Sequence, residues 1–405
     1  MSRPFLGSRG SGTYAQALLW AGVAVHSAVV LSLQFSFLNP LFDDSIHRKG
    51  KGADFYAVYQ AARNIEDNVS IYEKKPAQQV VPYFFPYRYH PIVALTIGQL
   101  FSLVPPGVAY GIWIIFQELF LFSNIILTRR LFGDHPDADL ATGFWFFFSP
   151  YFIELYMGQF SFLMSSLMFW MLAAMMRGRI LLADAAWIGS LCVKSSSALF
   201  VPVLIKMKRW RTVLLAAVVI VLLGLPYFLS TPGSLEAFST NFTEPLTMPT
   251  LQGNQGFAAL VGILLLRLGD SWPDSVYDFP DRLQAMNDAL VIPTTILAIL
   301  VVLFTVLMTV RTRPRYVPEL FFLWILAYFL FYKHVWEHHY VMTLPVFVLL
   351  YYRMRVGSIV LSRKIFWTSF FIIALPTLFV FIDKDAGLGD PELYWSHLES
   401  FLFHA

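Results

Sequence analysis

Long apolar runs separated by short basic clusters dominate the chain. Runs of roughly bilayer-spanning length, about 17–25 residues, fall near 14–37, 107–127, 139–157, 160–176, 212–230, 289–310, 317–333, 340–352 and 358–382. In lipid the backbone must satisfy itself, as a helix or a closed barrel, and these segments lack a barrel's alternation. Two further stretches do not read as simple crossings. The segment 90–105 contains Pro91, Gln99 and Pro105 and is followed by Pro106, which suits an interfacial or re-entrant helix. The segment 180–205 is basic at both flanks and carries Lys194–Ser195–Ser196–Ser197 near its middle. It is expected to form two short helices with a polar turn, entering and leaving on one side.

Five basic clusters separate the runs: Arg129–Arg130, Arg177 with Arg179, Lys206 to Arg211, Arg311 to Arg315, and Arg353 with Arg355. Short loops rich in Lys and Arg stay cytoplasmic. With all five inside and 180–205 doubling back, the parity closes. Loops 38–106, 231–288 and 334–339, the Gly158–Gln159 turn and the tail 383–405 then lie outside. The expectation is one domain over 1–405, an all-α polytopic membrane protein with about 10–12 spanning helices and a large first extracytoplasmic loop.

Composition excludes a soluble chain: 57% is hydrophobic and 14% charged, against about 25% charged in soluble proteins. The net charge of +3 sits in clusters between apolar runs, which is membrane topology and not a nucleic-acid footprint. Arg3 and Arg9 precede the first run, which is too long for a signal-peptide core and reads as an uncleaved anchor. The single Cys192 allows no disulfide within the chain and no cysteine-based metal site.

Polar chemistry gathers in three places. In the first loop, apolar residues at 55, 58, 59, 62 and 65 form a helical stripe that Asp54 opens. Asp54 there is either a helix-start acid satisfying orphan N–H groups or a general base. Asp43 and Asp44 are its rivals, although adjacent acids more often mark a solvated loop. The second place is Lys333–His334–Val335–Trp336–Glu337–His338–His339–Tyr340, where ionisable groups crowd the junction of two apolar runs. Zinc fits poorly, because His338 and His339 point to different faces of a helix. Binding of an anionic phosphate by Lys333 and the histidines fits better, and headgroup anchoring is the plain alternative. The third place is Lys194, too far from either basic flank to snorkel easily, which calls for a carboxylate or a phosphate partner. Gln159 and Gln255 also end apolar runs on the outer side. No phosphate-cradling glycine loop, dinucleotide fingerprint or serine-hydrolase elbow is present.

In this order the pieces resemble glycosyltransferase family 87, the polyprenol-phosphate-mannose-dependent mannosyltransferases of the GT-C superfamily. The resemblance is carried by Ala53–Asp54–Phe55–Tyr56–Ala57–Val58–Tyr59–Gln60–Ala61–Ala62–Arg63, Ile71–Tyr72 and Tyr87–Arg88–Tyr89–His90–Pro91–Ile92. Further on it is carried by Gly158–Gln159, Arg177–Gly178–Arg179, Lys194, Arg209–Trp210–Arg211, Asn254–Gln255 and His338–His339–Tyr340. The family's second proline is absent after Pro91, and serines follow Lys194 where the family often has proline. The resemblance implies an inverting hexosyl transfer, of mannose, from a polyprenyl-phosphate sugar to a lipid or glycan acceptor. The reaction would occur on the outer face of the cytoplasmic (inner) membrane, with no cofactor and no obligatory metal. It makes Asp54 the base and assigns the donor phosphate to His338, His339, Lys333, Lys194 and Arg88. Gln159, Gln255, Tyr59 and Trp336 become candidate substrate contacts. The alternative reading is a transporter or flippase of a lipid-linked sugar. Transporters favour internal repeats and paired broken helices, and only 180–205 has that character here.

Overall fold

The computed structural model describes residues 10–35, 51–73, 78–82, 84–247, 279–332 and 335–374, with a few positions between 256 and 265. Asp43, Asp44, Gln255, Lys333 and the expected tail 383–405 lie outside these residues. The described chain is helical, with no strand among the described residues. Among the described residues, five helices are long and apolar enough to cross a membrane: Thr13–Phe35, Pro106–Phe132, Trp210–Ser230, Asp288–Arg311 and Pro314–Phe331. With the shorter apolar helices around them, they make an all-α polytopic membrane protein.

In chain order, α1 is Gly10–Phe35, α2 Ala53–Glu66, α3 Pro91–Phe101 and α4 Pro106–Phe132. The run expected as one crossing at 139–157 is broken into α5, Ala138–Gly143, and α6, Ser149–Met157. Pro150 lies in the first turn of α6 after an extended Phe148. Its missing N–H and its ring prevent one helix from running through. Next come α7, Ser161–Met176, α8, Ile180–Val193, and α9, Ser195–Lys206. They are followed by α10, Trp210–Ser230, α11, Ser234–Thr247, and α12, Phe279–Arg311. The last three are α13, Val317–Phe331, α14, Leu344–Arg355, entered through a 3-10 turn at Glu337–Thr343, and α15, Arg363–Ala374.

The segment 180–205 turns back on itself. Lys194 is extended (φ −150°, ψ 121°) between α8 and α9, and the Trp187 indole donates to the Ser197 carbonyl across the arms at 3.2 Å. At the open end Arg209 pairs with Asp184 and donates to the Ile180 carbonyl, so the two flanks adjoin. The basic clusters are linked around one end of the bundle. Arg129 pairs with Asp139, and Arg355 with Asp137. Arg353 bonds Glu319 and the Arg315 carbonyl. Lys206 reaches the Val310 carbonyl. Lys194 and the Gly158 turn lie at the opposite ends of their helices.

Within the bundle, α4 presents a polar ladder on one face. Gln117 donates to the Gln159 carbonyl (2.9 Å), Asn124 to the Ser166 hydroxyl (2.8 Å), and Thr128 accepts from the Trp145 indole (2.9 Å). In lipid, where apolar contact gives little net drive, such bonds fix helix neighbours. Outward faces are apolar: Ile112, Ile115 and Leu119 on α4 are exposed, as are Ile292, Ile299 and Leu303 on α12.

The first loop packs on α10 at one glycine. A Cβ on Gly224 would lie 2.6 Å from His90 Nε2. Gly224→Val must therefore push the His90 ring aside. The expected cost is about 1–3 kcal/mol, read as a lowered melting temperature in detergent, whereas Gly189→Ala, whose Cβ would meet Leu167 Cδ1 at an ordinary 3.7 Å, leaves melting unchanged.

Candidate active site

Asp54 is placed by three local features. Helix α2 starts at Ala53 behind Gly52, whose φ of +85° suits glycine. The Gly52 N–H donates to the Tyr156 carbonyl at 2.7 Å, which ties the start of α2 to the end of α6. Gly158 then ends α6 at φ +68°, so close that a Cβ there would lie 2.6 Å from Phe55 Cβ. The next residue, Gln159, is thereby set beside Asp54.

The single apolar stripe read from the sequence understates the burial of α2. Phe55 through Ala62 are buried on every face. Phe55 stacks on Trp113 of α4 (5.8 Å between centroids), and Ala62 and Val58 meet Gly98 of α3. Gln60 is buried because the loop satisfies it. Its amide donates to the Gln78 carbonyl (2.9 Å) and accepts from the Val80 N–H (3.0 Å). The helix carrying Asp54 is a rigid interior element rather than a surface strip.

Asp54 itself is buried, and Gly52 rather than Asp54 occupies the helix cap. Its Oδ2 has no hydrogen-bond partner. Burial raises its carboxyl to about 6, opposed by the Lys194 ammonium, the Arg88 guanidinium and a hydrogen bond from Gln159. The Gln159 carbonyl oxygen accepts from Tyr89 (3.2 Å) and from Lys194 (3.4 Å), so its amide nitrogen faces Asp54. Lys194, at the tip of the hairpin, also donates to Ser161 Oγ at 2.6 Å. Arg88 sits over the Phe85 ring with a buried Nε that lacks a hydrogen-bond partner.

Asp54, Arg88, Gln159 and Lys194 thus come together from four distant parts of the chain. His338 and His339 are buried in the 3-10 turn that packs against α6. His339 Nδ1 accepts from the Trp336 N–H (3.1 Å), and its ring is 5.9 Å from Tyr332, which lies within electrostatic range of Arg88. Trp336 is half-buried on the same turn. Tyr59 is directed elsewhere, because its hydroxyl donates to the Val104 carbonyl at 2.8 Å on the α3 side. Among the described residues no group of three or more His, Cys, Asp or Glu side chains is set to hold a metal ion.

Sequence reasoning passed over Glu154 and Tyr89. Glu154, on α6, is fully buried, and its Oε1 accepts the Phe162 N–H at 2.7 Å. The signal was present as a lone acid deep in an apolar run, where an ionisable group is costly enough to require a reason. Tyr89 has no such signal, since aromatic residues crowd its loop.

A buried carboxylate with one unpaired oxygen, ionised at neutral pH yet basic for its type, is suited to accept a proton from a hydroxyl. Two nearby cations are suited to an anion. A sequence profile of glycosyltransferase family 87 matches residues 87–335. The match covers more than half of the chain, including Arg88, Glu154, Gln159 and Lys194, and starts after Asp54. The chain belongs to glycosyltransferase family 87 and is a membrane glycosyltransferase. No curated protein matches it.

Proposed function

We propose that the protein transfers a hexose, mannose, from a polyprenyl-phosphate sugar to a hydroxyl of a lipid or glycan acceptor, with inversion. Asp54 Oδ2 takes the hydroxyl proton, the oxygen attacks the anomeric carbon, and the bond from that carbon to the phosphate oxygen breaks. Polyprenyl phosphate leaves with the negative charge, which Arg88, Lys194 and the His338–His339 pair stabilise, with Lys333 as a further candidate. Gln159 holds Asp54 in register. The observation that carries the reading is the unpaired oxygen of buried Asp54, flanked by two cations. The reaction as written consumes no nucleotide.

The five basic clusters occupy one end and the Asp54 cluster the other. By the positive-inside tendency the reaction takes place on the extracytoplasmic face of the inner membrane.

The test offers purified protein a polyprenyl-phosphate mannose, the matching nucleotide sugar and a lipid extract as acceptor. Transfer from the polyprenyl donor alone is expected. In Arg88→Ala the donor KM should rise about tenfold or more, the cost of one charge-assisted phosphate contact. Transfer from the nucleotide sugar alone overturns the reading.

A further inference from the structure

Lys194 is held at both ends. At the backbone, its N–H donates to the Ser190 carbonyl (2.9 Å), and its carbonyl accepts from the Ser197 N–H and hydroxyl (3.3 Å each). At the head, the ammonium donates to Ser161 Oγ at 2.6 Å. Its second bond, to the Gln159 oxygen, is longer at 3.4 Å, and Tyr89 shares that oxygen. Ser161 is buried and opens α7. Its hydroxyl has no capping duty there. Phe160 occupies the cap position, and the Phe162 N–H goes to Glu154 Oε1 at 2.7 Å.

A helix N-terminus is the wrong end for a cation, because its N–H groups carry partial positive charge. An ammonium rests there only against an oxygen that outweighs the repulsion, and Ser161 Oγ is that oxygen. A hydroxyl also leaves the charge whole. A carboxylate in its place would bind Lys194 more strongly and neutralise the charge meant for a phosphate. An ammonium has three N–H donors. With Ser161 and Gln159 taking two, one remains for a phosphate oxygen.

We propose that Ser161 is a positioning residue for the phosphate of the lipid-linked donor: its hydroxyl fixes the Lys194 ammonium in place without neutralising it. The inference rests on the proposed role of Lys194 at that phosphate. Without the hydroxyl, the shortest bond at the head is lost. The flexible four-carbon stem then lets the ammonium swing between the Gln159 oxygen and the Asp54 carboxylate, whose charge already bears on it. Time spent on either is lost to the phosphate.

The experiment measures kcat/KM for polyprenyl-phosphate mannose, and the melting temperature, in wild-type protein, Ser161→Ala, Lys194→Met and the double variant. Ser161→Ala removes one oxygen and is expected to melt within a few degrees of wild type. Its kcat/KM should fall roughly tenfold, the size of one hydrogen bond to a charged group. Lys194→Met keeps the length of the stem and removes the ammonium, and should lower kcat/KM on the order of 10²-fold. In the Lys194→Met background, Ser161→Ala should change kcat/KM by less than about twofold, because the hydroxyl has no ammonium to hold. An equal loss from Ser161→Ala in both backgrounds overturns the inference. So does Ser161→Ala with the wild-type kcat/KM, or a Ser161→Ala protein that fails to fold, which would show the hydroxyl serving the fold. Lys194→Met with the wild-type kcat/KM overturns the phosphate role of Lys194 instead, which keeps the two failures apart.

Discussion

Asp54→Asn is expected to lower sugar transfer by a factor on the order of 10³ without loss of fold. The amide keeps the shape and can still bond Gln159, but it cannot take the acceptor's proton. In the wild-type protein the same group gives kcat an acid limb. Burial sets the carboxyl at about 6, so transfer should fall about tenfold per unit below that pH and level off above it. The melting temperature should move the opposite way. A carboxyl raised from 3.8 to about 6 in the folded state binds its proton more tightly there than in the unfolded chain. Its contribution to stability is full below pH 3.8, declines through about 6, and is a deficit of about 3 kcal/mol at neutral pH. Asp54→Asn removes that deficit, so at pH 7 the variant should melt no lower than wild type. An inactive and destabilised Asn variant would make Asp54 a structural group.

Gly158→Ala is expected to have the next largest effect. The added Cβ would lie 2.6 Å from Phe55 Cβ and 3.2 Å from the Gly52 Cα, at a φ of +68°. The backbone conformation alone costs about 1–2 kcal/mol for a residue with a side chain. The clash cannot be relieved by a flexible side chain, because its partners are the backbone and first side-chain carbon of α2. The helix must move outward by about half an ångström or more, and Asp54 moves with it. Displacement of a reacting group on the order of 1 Å costs about 10²-fold. The expected outcome is kcat reduced about a hundredfold with a melting temperature lowered by a few degrees. Gly178→Ala, equally left-handed at +70° but with open space around it, should lose stability and retain transfer. Equal loss of transfer in both variants would show that Gly158 acts through stability alone.

The parts of the fold legible in the sequence are those that charge and hydropathy encode locally. The turn at Lys194 follows from basic flanks on both sides of a largely apolar segment of 26 residues. The long crossings follow from unbroken runs. Asp54 stands out because it opens a helical stripe inside a loop too long to be a connection. What stayed hidden is set by partners far along the chain. Gln60 and Asn64 lie off the apolar stripe of α2, yet both are buried, hydrogen-bonded by the backbone of Ser70, Gln78 and Val80. Gln159 lies 105 residues from Asp54, and only the close approach of Gly158 to α2 joins them. Tyr59 lies on the stripe, so spacing could not tell that its hydroxyl turns to Val104. Glu154 merged into an apolar run that a hydropathy window averages over. The same averaging hid the break before Pro150, where a missing N–H matters more than mean hydropathy.

The central claim is that the buried Asp54 cluster catalyses transfer from a lipid-phosphate sugar. The most direct measurement reconstitutes wild-type protein and Asp54→Asn into liposomes with labelled polyprenyl-phosphate mannose and a lipid acceptor, and follows the fate of the label. Wild-type protein is expected to move the label onto the acceptor and release polyprenyl phosphate in equal amount, and Asp54→Asn to do neither. Label that crosses the bilayer still attached to polyprenyl phosphate, equally with both proteins and with no transfer, would contradict the claim.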